Sequence, residues 1–426
     1  MVFRICTLLL TTGWGRVAGL VLCLWLANPG CTGAQPAAFH FKHTHTRQAR
    51  IPFVLQRNLI VIETWLNNQG PYNFLLDTGI GTSLITDPAV AQKLNISLQQ
   101  RFLVAGAGEE RPLEAFQTSG VAVRLVDEVE APSLSFLTLS EDVLNLSGYV
   151  GMPIHGLLGS DVFRSFVVEV DPERQMVVLR DPARFEAPRG RRWARVPLDM
   201  EGRKAYLTVP VQLNDSLSMP LKLVLDTGAG HALSIETTSD ARLRLPANRL
   251  RTPLGRGLSG NINGYLGRVA ALQLGRYRMP SLITSFPDAA DVAHRAETPR
   301  NGNLGFELLK RFKVIIDYTH NRLMLRPNNA YREPFEHDMS GVELLATGPA
   351  YRQFKITRIE PDSPAARAGL KPGDEFLSIN LIPAEFFTLN QFSRMLHSED
   401  GRQLLFVVRR ADGELFTTTV RLKRQI

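Results

Sequence analysis

Along most of the chain, short runs rich in Val, Ile, Leu and Phe are broken every few residues by Gly, Pro and Asn, as in Val121 to Leu125 and Tyr206 to Leu213. Such runs, bounded by turn residues, predict β-strands rather than helices. Helical patterns are few and short. Pro88 to Leu94, Ser160 to Ser165 and Glu307 to Lys310 are the candidates, each following a strand. The predicted fold class is therefore mostly β.

From about Tyr351 the texture changes. Phe354 to Ile359 predicts a strand, and Asp362 to Gly369 a helical turn capped by Ser363 and stopped by Gly369. Leu370 to Asp374 reads as a turn, followed by a strand from Glu375 to Asn380, a helix from Asn390 to His397 and two strands around Asp412 and Gly413. This is a separate module.

The rest of the chain is duplicated. Phe74-Leu75-Leu76-Asp77-Thr78-Gly79-Ile80-Gly81 returns as Leu223-Val224-Leu225-Asp226-Thr227-Gly228-Ala229-Gly230, 149 residues later. Gly106 and Gly108 recur at the same offset as Gly255 and Gly257. A third block, Gly156-Leu157-Leu158-Gly159 with Phe166 to Asp171, returns as Gly302-Asn303-Leu304-Gly305 with Phe312 to Asp317. Three blocks repeated in one order predict two homologous lobes.

At 426 residues the chain has room for two or three domains, and 44% hydrophobic with 21% charged residues is ordinary for globular proteins. The formal net charge of +8 is spread along the chain. Its densest basic stretch, Arg189, Arg191, Arg192 and Arg195, follows Pro188 and reads as a solvated inter-lobe linker, so nucleic acid is not an expected partner. All three cysteines, Cys6, Cys23 and Cys31, fall in the first 31 residues, around the apolar run Val17 to Ala27 with Arg4 and Arg16 before it. That is the pattern of a secretory signal peptide over residues 1–34, and it predicts a periplasmic or secreted protein. Lipidation at Cys31 is the weaker alternative, because Asn28 and Pro29 do not suit a lipobox. No other run is long enough to span a bilayer. His40, His43 and His45 read as a flexible tail rather than a metal site, since no carboxylate or cysteine completes a ligand set. No cofactor or metal is expected.

The chemistry lies in the repeated Asp-Thr-Gly. A buried carboxylate is costly, so finding one at the end of an apolar strand twice, in matching settings, argues for a working pair. Two carboxyl groups about 3 Å apart cannot both ionise, and one holds a proton. Such a pair can take a proton from water and donate one to a carbonyl.

These motifs, with Leu157-Leu158-Gly159 and Asn303-Leu304-Gly305, resemble the two halves of a pepsin-type or retroviral-type aspartic protease joined in one chain. The resemblance covers roughly residues 50 to 330 and implies two β-barrel lobes, with Asp77 and Asp226 as the catalytic dyad. It implies that Thr78 and Thr227 bond across to the opposite lobe, and that Gly79 and Gly228 let the backbone pass close to the carboxylates. Gly106-Ala107-Gly108 and Gly255-Arg256-Gly257 fall where retroviral-type proteases carry flap tips. Asn303 departs from the family's hydrophobic position, which is expected to alter local packing.

The last module resembles a PDZ domain of the kind found in bacterial secreted and periplasmic proteases, on the stretch Ser363 to Asp374. A PDZ domain adds an extended peptide to a sheet edge. By resemblance the carboxylate loop is expected at Gly348 to Phe354, with Arg352, Gln353, Phe354, Lys355 and Ile356 lining the groove.

The expected organisation is a signal peptide (1–34), first protease lobe (35–192), second lobe (193–335) and PDZ domain (336–426). The resemblance implies an exported aspartic endopeptidase, acting on peptide or protein substrates and active as a monomer, since both lobes share one chain. The alternative is a peptide-binding scaffold that keeps the protease fold without turnover, or an enzyme restricted to itself or one partner.

Overall fold

A computed structural model describes residues 39–104, 107–108, 113–293 and 298–426. The expected signal segment with Cys31, and the flap residue Gly106, lie outside the described residues.

The third repeated block builds the frame. Val167–Asp171 and Phe312–Asp317 pair antiparallel, with Val168 opposite Ile316 and Val170 opposite Val314. Each strand carries its own hairpin partner, Met176–Arg180 and Arg322–Pro327. Gln48–Gln56 and Ala194–Pro197 flank them, making six strands shared by both lobes, and Gln48–Gln56 carries the sheet on by pairing with Leu59–Leu66. Strand alternation sorts its faces. Val168, Val170, Val314 and Ile316 point into the main core, while Val167, Ile315 and Met324 point the other way, beneath Phe185, Ala187 and Trp193. On that second face Lys313 pairs with Glu169 and Asp171, and Arg180 reaches Glu169 at 2.9 Å. The exposed Arg189, Arg191 and Arg192 lie in the segment that covers this face.

Within each lobe the strand before the Asp meets the segment ending Leu-Gly. Gln69–Leu76 runs parallel to Gly156–Leu158, and Ser218–Asp226 runs parallel to Gly302–Gly305. The strand that follows each Asp-Thr-Gly loop, Leu84–Ile85 or Leu233–Ile235, pairs antiparallel with the same short segment. Three strands thus lock each loop. The helices Pro88–Lys93, Ser160–Ser165 and Phe306–Leu309 form where the pattern predicts them, the first capped by Asp87, whose carboxylate accepts from Ala89 N–H.

Two readings need correction. The histidine segment is not a tail: His40–Phe41 pairs with Val129–Leu139, and Phe39 is buried, its N–H donating to Ser165 Oγ. One buried aromatic outweighs a polar composition. The helix Leu146–Val150 carries no amphipathic signal and was not expected; Asn145, at a φ of 44° with its amide oxygen on Gly148 N–H, starts it.

The C-terminal sheet runs in the order Val342–Thr347, Gln353–Ile359, Glu375–Ile379, Gln403–Arg409, Leu415–Arg421. Its core is aromatic: Phe392 of the helix Leu389–Leu396 meets Phe354 and Phe376 nearly edge to face, at centroid separations of 5.3 and 4.8 Å. Such contacts add about 0.5–1.5 kcal/mol each beyond area burial.

Arg311 fastens the connection between the second lobe and this module. Its side chain is 2% exposed, stacks on Phe335 at 3.7 Å and donates to the carbonyls of Ala330, Glu333 and Pro334. Arg311→Met keeps the bulk but leaves those carbonyls unpaired. It should lower stability by roughly 3–5 kcal/mol, measured as a denaturant midpoint; a midpoint within error of wild type would show that the strap carries no such load.

Candidate active site

Asp77 follows the strand Gln69–Leu76 and Asp226 ends Ser218–Asp226. The repeat brings them together. A Cβ on Gly228 would lie 2.3 and 2.4 Å from the two Asp77 carboxylate oxygens, and one on Gly79 would lie 2.6 Å from Asp226 Oδ1 and 3.0 Å from Asp77 Oδ1. Only glycine fits at either place. Gly79 N–H donates to Asp77 Oδ1 at 2.6 Å, and Gly228 N–H also bonds the Asp77 carboxyl.

The threonines clasp the two loops. Thr78 Oγ1 donates to Leu225 O at 2.7 Å and accepts from Thr227 N–H at 2.9 Å. Thr227 Oγ1 donates to Leu76 O at 2.8 Å and accepts from Thr78 N–H at 3.0 Å. All four bonds are buried and cross between lobes. A further link was not legible in the sequence: Asn58 Nδ2 donates to Gly230 O at 2.9 Å and Lys310 Nζ to Asn58 Oδ1 at 2.8 Å. Arg57 and Asn58 sit at φ 47° and 62°, a tight hairpin turn that Arg-Asn does not announce.

Burial sets the electrostatics. Asp77 is 5% exposed, and desolvation first, then the neighbouring Asp226, push its carboxyl up to about 8, against the pull of Gly79 N–H and Lys204. Tyr318 is buried nearby, its hydroxyl driven well above the usual range by burial and by both aspartates.

Asn303 does more than fill space. In the second lobe it occupies the position held by Leu157 in the first, and its Nδ2 donates to Asp226 Oδ2 at 2.7 Å. The expectation of altered packing is thus replaced by a polar contact to the dyad. A polar residue in an otherwise apolar repeat position was the available signal.

The flap candidates fall on two hairpins. Arg101–Val104 with Leu113–Val126 flanks Ala107 and Gly108; Arg249–Gly257 with Gly260–Leu274 makes the second. Gly255 and Gly257 stand in the latter's first strand with Arg256 between them, and the tip itself is Leu258-Ser259. The tips touch: Ser259 N–H donates to Ala107 O at 2.9 Å, and a Cβ on Gly108 would lie 2.1 Å from Ser259 O. Leu258 packs against the first lobe's buried cluster around Leu59, Leu84 and Leu157, as Ile80, Val104 and Leu113 do, so the second hairpin reaches across to the first lobe.

The predicted PDZ groove is misplaced. Gln353, Phe354, Lys355 and Ile356 belong to an internal strand paired with Val342–Thr347 on one side and Glu375–Ile379 on the other, and Arg352 ends the turn just before it. A peptide cannot add to a strand that is already paired. Gly348, at φ 69°, opens the turn Pro349–Tyr351 rather than a carboxylate loop. The outer strand beside the internal one is Val342–Thr347, and the first lobe lies against that strand: Arg57 Nη2 donates to Leu344 O at 3.2 Å, and a Cβ on Gly148 would lie 2.9 Å from Leu345 Cδ1.

Two family models match the chain. The aspartyl protease model covers residues 62–162 and again 209–308, and a PDZ domain model covers residues 355–410. No curated protein matches it.

Two outcomes test this geometry. An unfolded Asp77 ionises near 3.8, whereas the folded one holds its proton to about 8. The unfolded chain therefore releases a proton first, and this group costs the fold increasing stability as pH rises from about 4 to 8. Asp77→Asn removes that cost: its unfolding free energy should exceed wild type by several kcal/mol at pH 8, with the two curves converging below pH 4. A difference independent of pH would contradict the buried acid. At the PDZ contact, Gly148→Leu should collide with Leu345 and speed thermolysin cleavage at the buried Met339 and Ser340. An unchanged rate would show that this contact does not hold the module.

Proposed function

We propose that this chain, two aspartyl-protease lobes in tandem followed by a PDZ domain, is an aspartic endopeptidase that hydrolyses peptide bonds with water activated between Asp77 and Asp226. The observation that carries the reading is the crossed pair of Asp-Thr-Gly loops, each glycine admitting the opposite carboxylate and each threonine bonded to the opposite lobe. Such a pair shares one proton and needs no covalent enzyme intermediate. The flap hairpins must part for an extended segment to enter, and on closing they exclude bulk water.

Both lobes belong to one chain, so the dyad is complete in a monomer. The PDZ module supports peptide binding, along the outer strand Val342–Thr347 rather than the strand beside it. An exported location is proposed on the amino-terminal pattern alone. The narrow-substrate reading draws support from one feature: the hairpin tips bond each other and the PDZ outer strand faces the first lobe, so both entry routes are covered.

Ile80 and Ala229 stand directly after the two Asp-Thr-Gly motifs, where a Ser or Thr hydroxyl could stabilise an ionised carboxylate. With Asp77 held protonated to about 8, peptide turnover should survive at neutral pH and fail as pH rises past about 8. Asp77→Asn and Asp226→Asn should each lower kcat by at least about 10³-fold without unfolding the protein. Peptide turnover across pH 3 to 10 checks both points. Near wild-type rates in either variant would sink the dyad, and a maximum below about pH 3 would contradict the buried acid.

A further inference from the structure

We propose that Asn303 is a positioning residue that breaks the symmetry of the dyad, holding the negative charge on Asp226 so that Asp226 activates the water and Asp77 supplies the proton. The inference rests on the protease reading and deepens it by giving each carboxyl group its role.

The duplication supplies an internal control. Leu157 pairs with Leu75 as Asn303 pairs with Val224, and each is followed by Leu and Gly. A leucine meets the packing demand in the first lobe. The second lobe buries an amide instead, 7% exposed, opposite Val224 and Ser234. A buried amide is unfavourable unless bonded. The contact to Asp226 Oδ2 is the one hydrogen bond its side chain makes among the described residues, since Asn303 Oδ1 has no partner there. The amide is therefore spent on the carboxylate.

An N–H group only donates, so it favours the oxygen that carries charge. Asp226 Oδ2 is held outward by that donor, while Oδ1 is the oxygen nearest Gly79 and hence the side shared with Asp77. Among the described residues, Asp77 accepts from the backbone N–H groups of Gly79 and Gly228 and from no side-chain donor of this kind. Asp77 is also the more buried of the two, which favours its neutral form. Donor and burial act in one direction: charge on Asp226, proton on Asp77. Among the described residues, Lys204 sends its charge to Asp77, the buried Tyr318 feels both aspartates, and His231 follows Asp226 on the second lobe's own loop.

The step balances in that arrangement. Asp226 Oδ1 accepts a proton from water as the water oxygen bonds the peptide carbon, and Asp77 gives its proton to the carbonyl oxygen, forming a neutral diol. The proton on Asp226 then passes to the amide nitrogen, the C–N bond breaks, and one diol hydroxyl returns a proton to Asp77. Both carboxyl groups end as they began.

Asn303→Leu copies the first lobe and removes the donor. The acid limb of the kcat/KM profile should move up by about one pH unit, with a loss of roughly tenfold in kcat below it. Adding Ala229→Ser to that variant places a hydroxyl donor beside Asp226 and should bring the limb back, which a packing defect would not allow. If Asn303→Leu fails to fold, Ala229→Ser alone should shift the limb of the otherwise unaltered protein downward. A limb unmoved by Asn303→Leu, or a shift that Ala229→Ser fails to reverse, overturns the proposal while leaving the dyad standing. A separate readout does not depend on turnover. In protein carrying ¹³C-carboxyl aspartate, the signal absent from Asp77→Asn should titrate near pH 8, and Asn303→Leu should displace the signal absent from Asp226→Asn. The reverse assignment would place the proton on Asp226 and overturn the inference even in a chain that cleaves nothing.

Discussion

Two carboxyl groups placed against each other in a nearly dry site repel, and the structure is organised to hold them there. The crossed threonine bonds carry most of that task. They bind Thr78 and Thr227 to the backbone carbonyls of Leu225 and Leu76, so neither loop can retreat without leaving buried polar groups unpaired. The six shared strands beneath keep the lobes in register, and Asn58 adds a third tie at Gly230. Glycine is required where it stands because each loop passes over the opposite carboxyl group.

Local symmetry and functional asymmetry come from the same duplication. The backbone of the two lobes matches closely around the loops, down to the parallel pairing of Leu75 with Leu157 and of Val224 with Asn303. A two-fold pair of identical acids has no reason to put its proton on one member. Differences in burial and in a single donor supply that reason, and they lie in side chains adjacent to the repeat motif rather than in the motif itself.

The PDZ domain is packed as part of the same body. Arg57 touches Leu344 through its side chain, while the carbonyl of the same residue lies where a Cβ on Gly230 would meet it at 2.6 Å. One hairpin turn therefore borders both the PDZ outer strand and the second Asp-Thr-Gly loop. Thr252, in the hairpin strand Arg249–Gly257 of the second lobe, donates to Glu360 of the PDZ domain. Movement of the module would thus be felt at both the loop and the hairpin.

Much of this was legible in the amino-acid order. The strand periodicity, the duplication, the paired Asp-Thr-Gly motifs and the Ser363-capped turn are local signals: each depends on neighbours a few residues away or on a repeated string. They determined the two lobes, the aspartates and the presence of a PDZ-like module. What the tertiary structure alone decided depends on partners far apart in the chain. Phe39 is buried because Ser165 and the main core receive it, so a histidine-rich stretch becomes a strand. The PDZ edge moved from Gln353–Ile359 to Val342–Thr347 because strand order is set by pairing, which alternation along one strand cannot reveal. Asn303 read as a flaw in a hydrophobic motif until folding brought its amide to Asp226, 77 residues away, where a hydrogen bond offsets the cost of burying it.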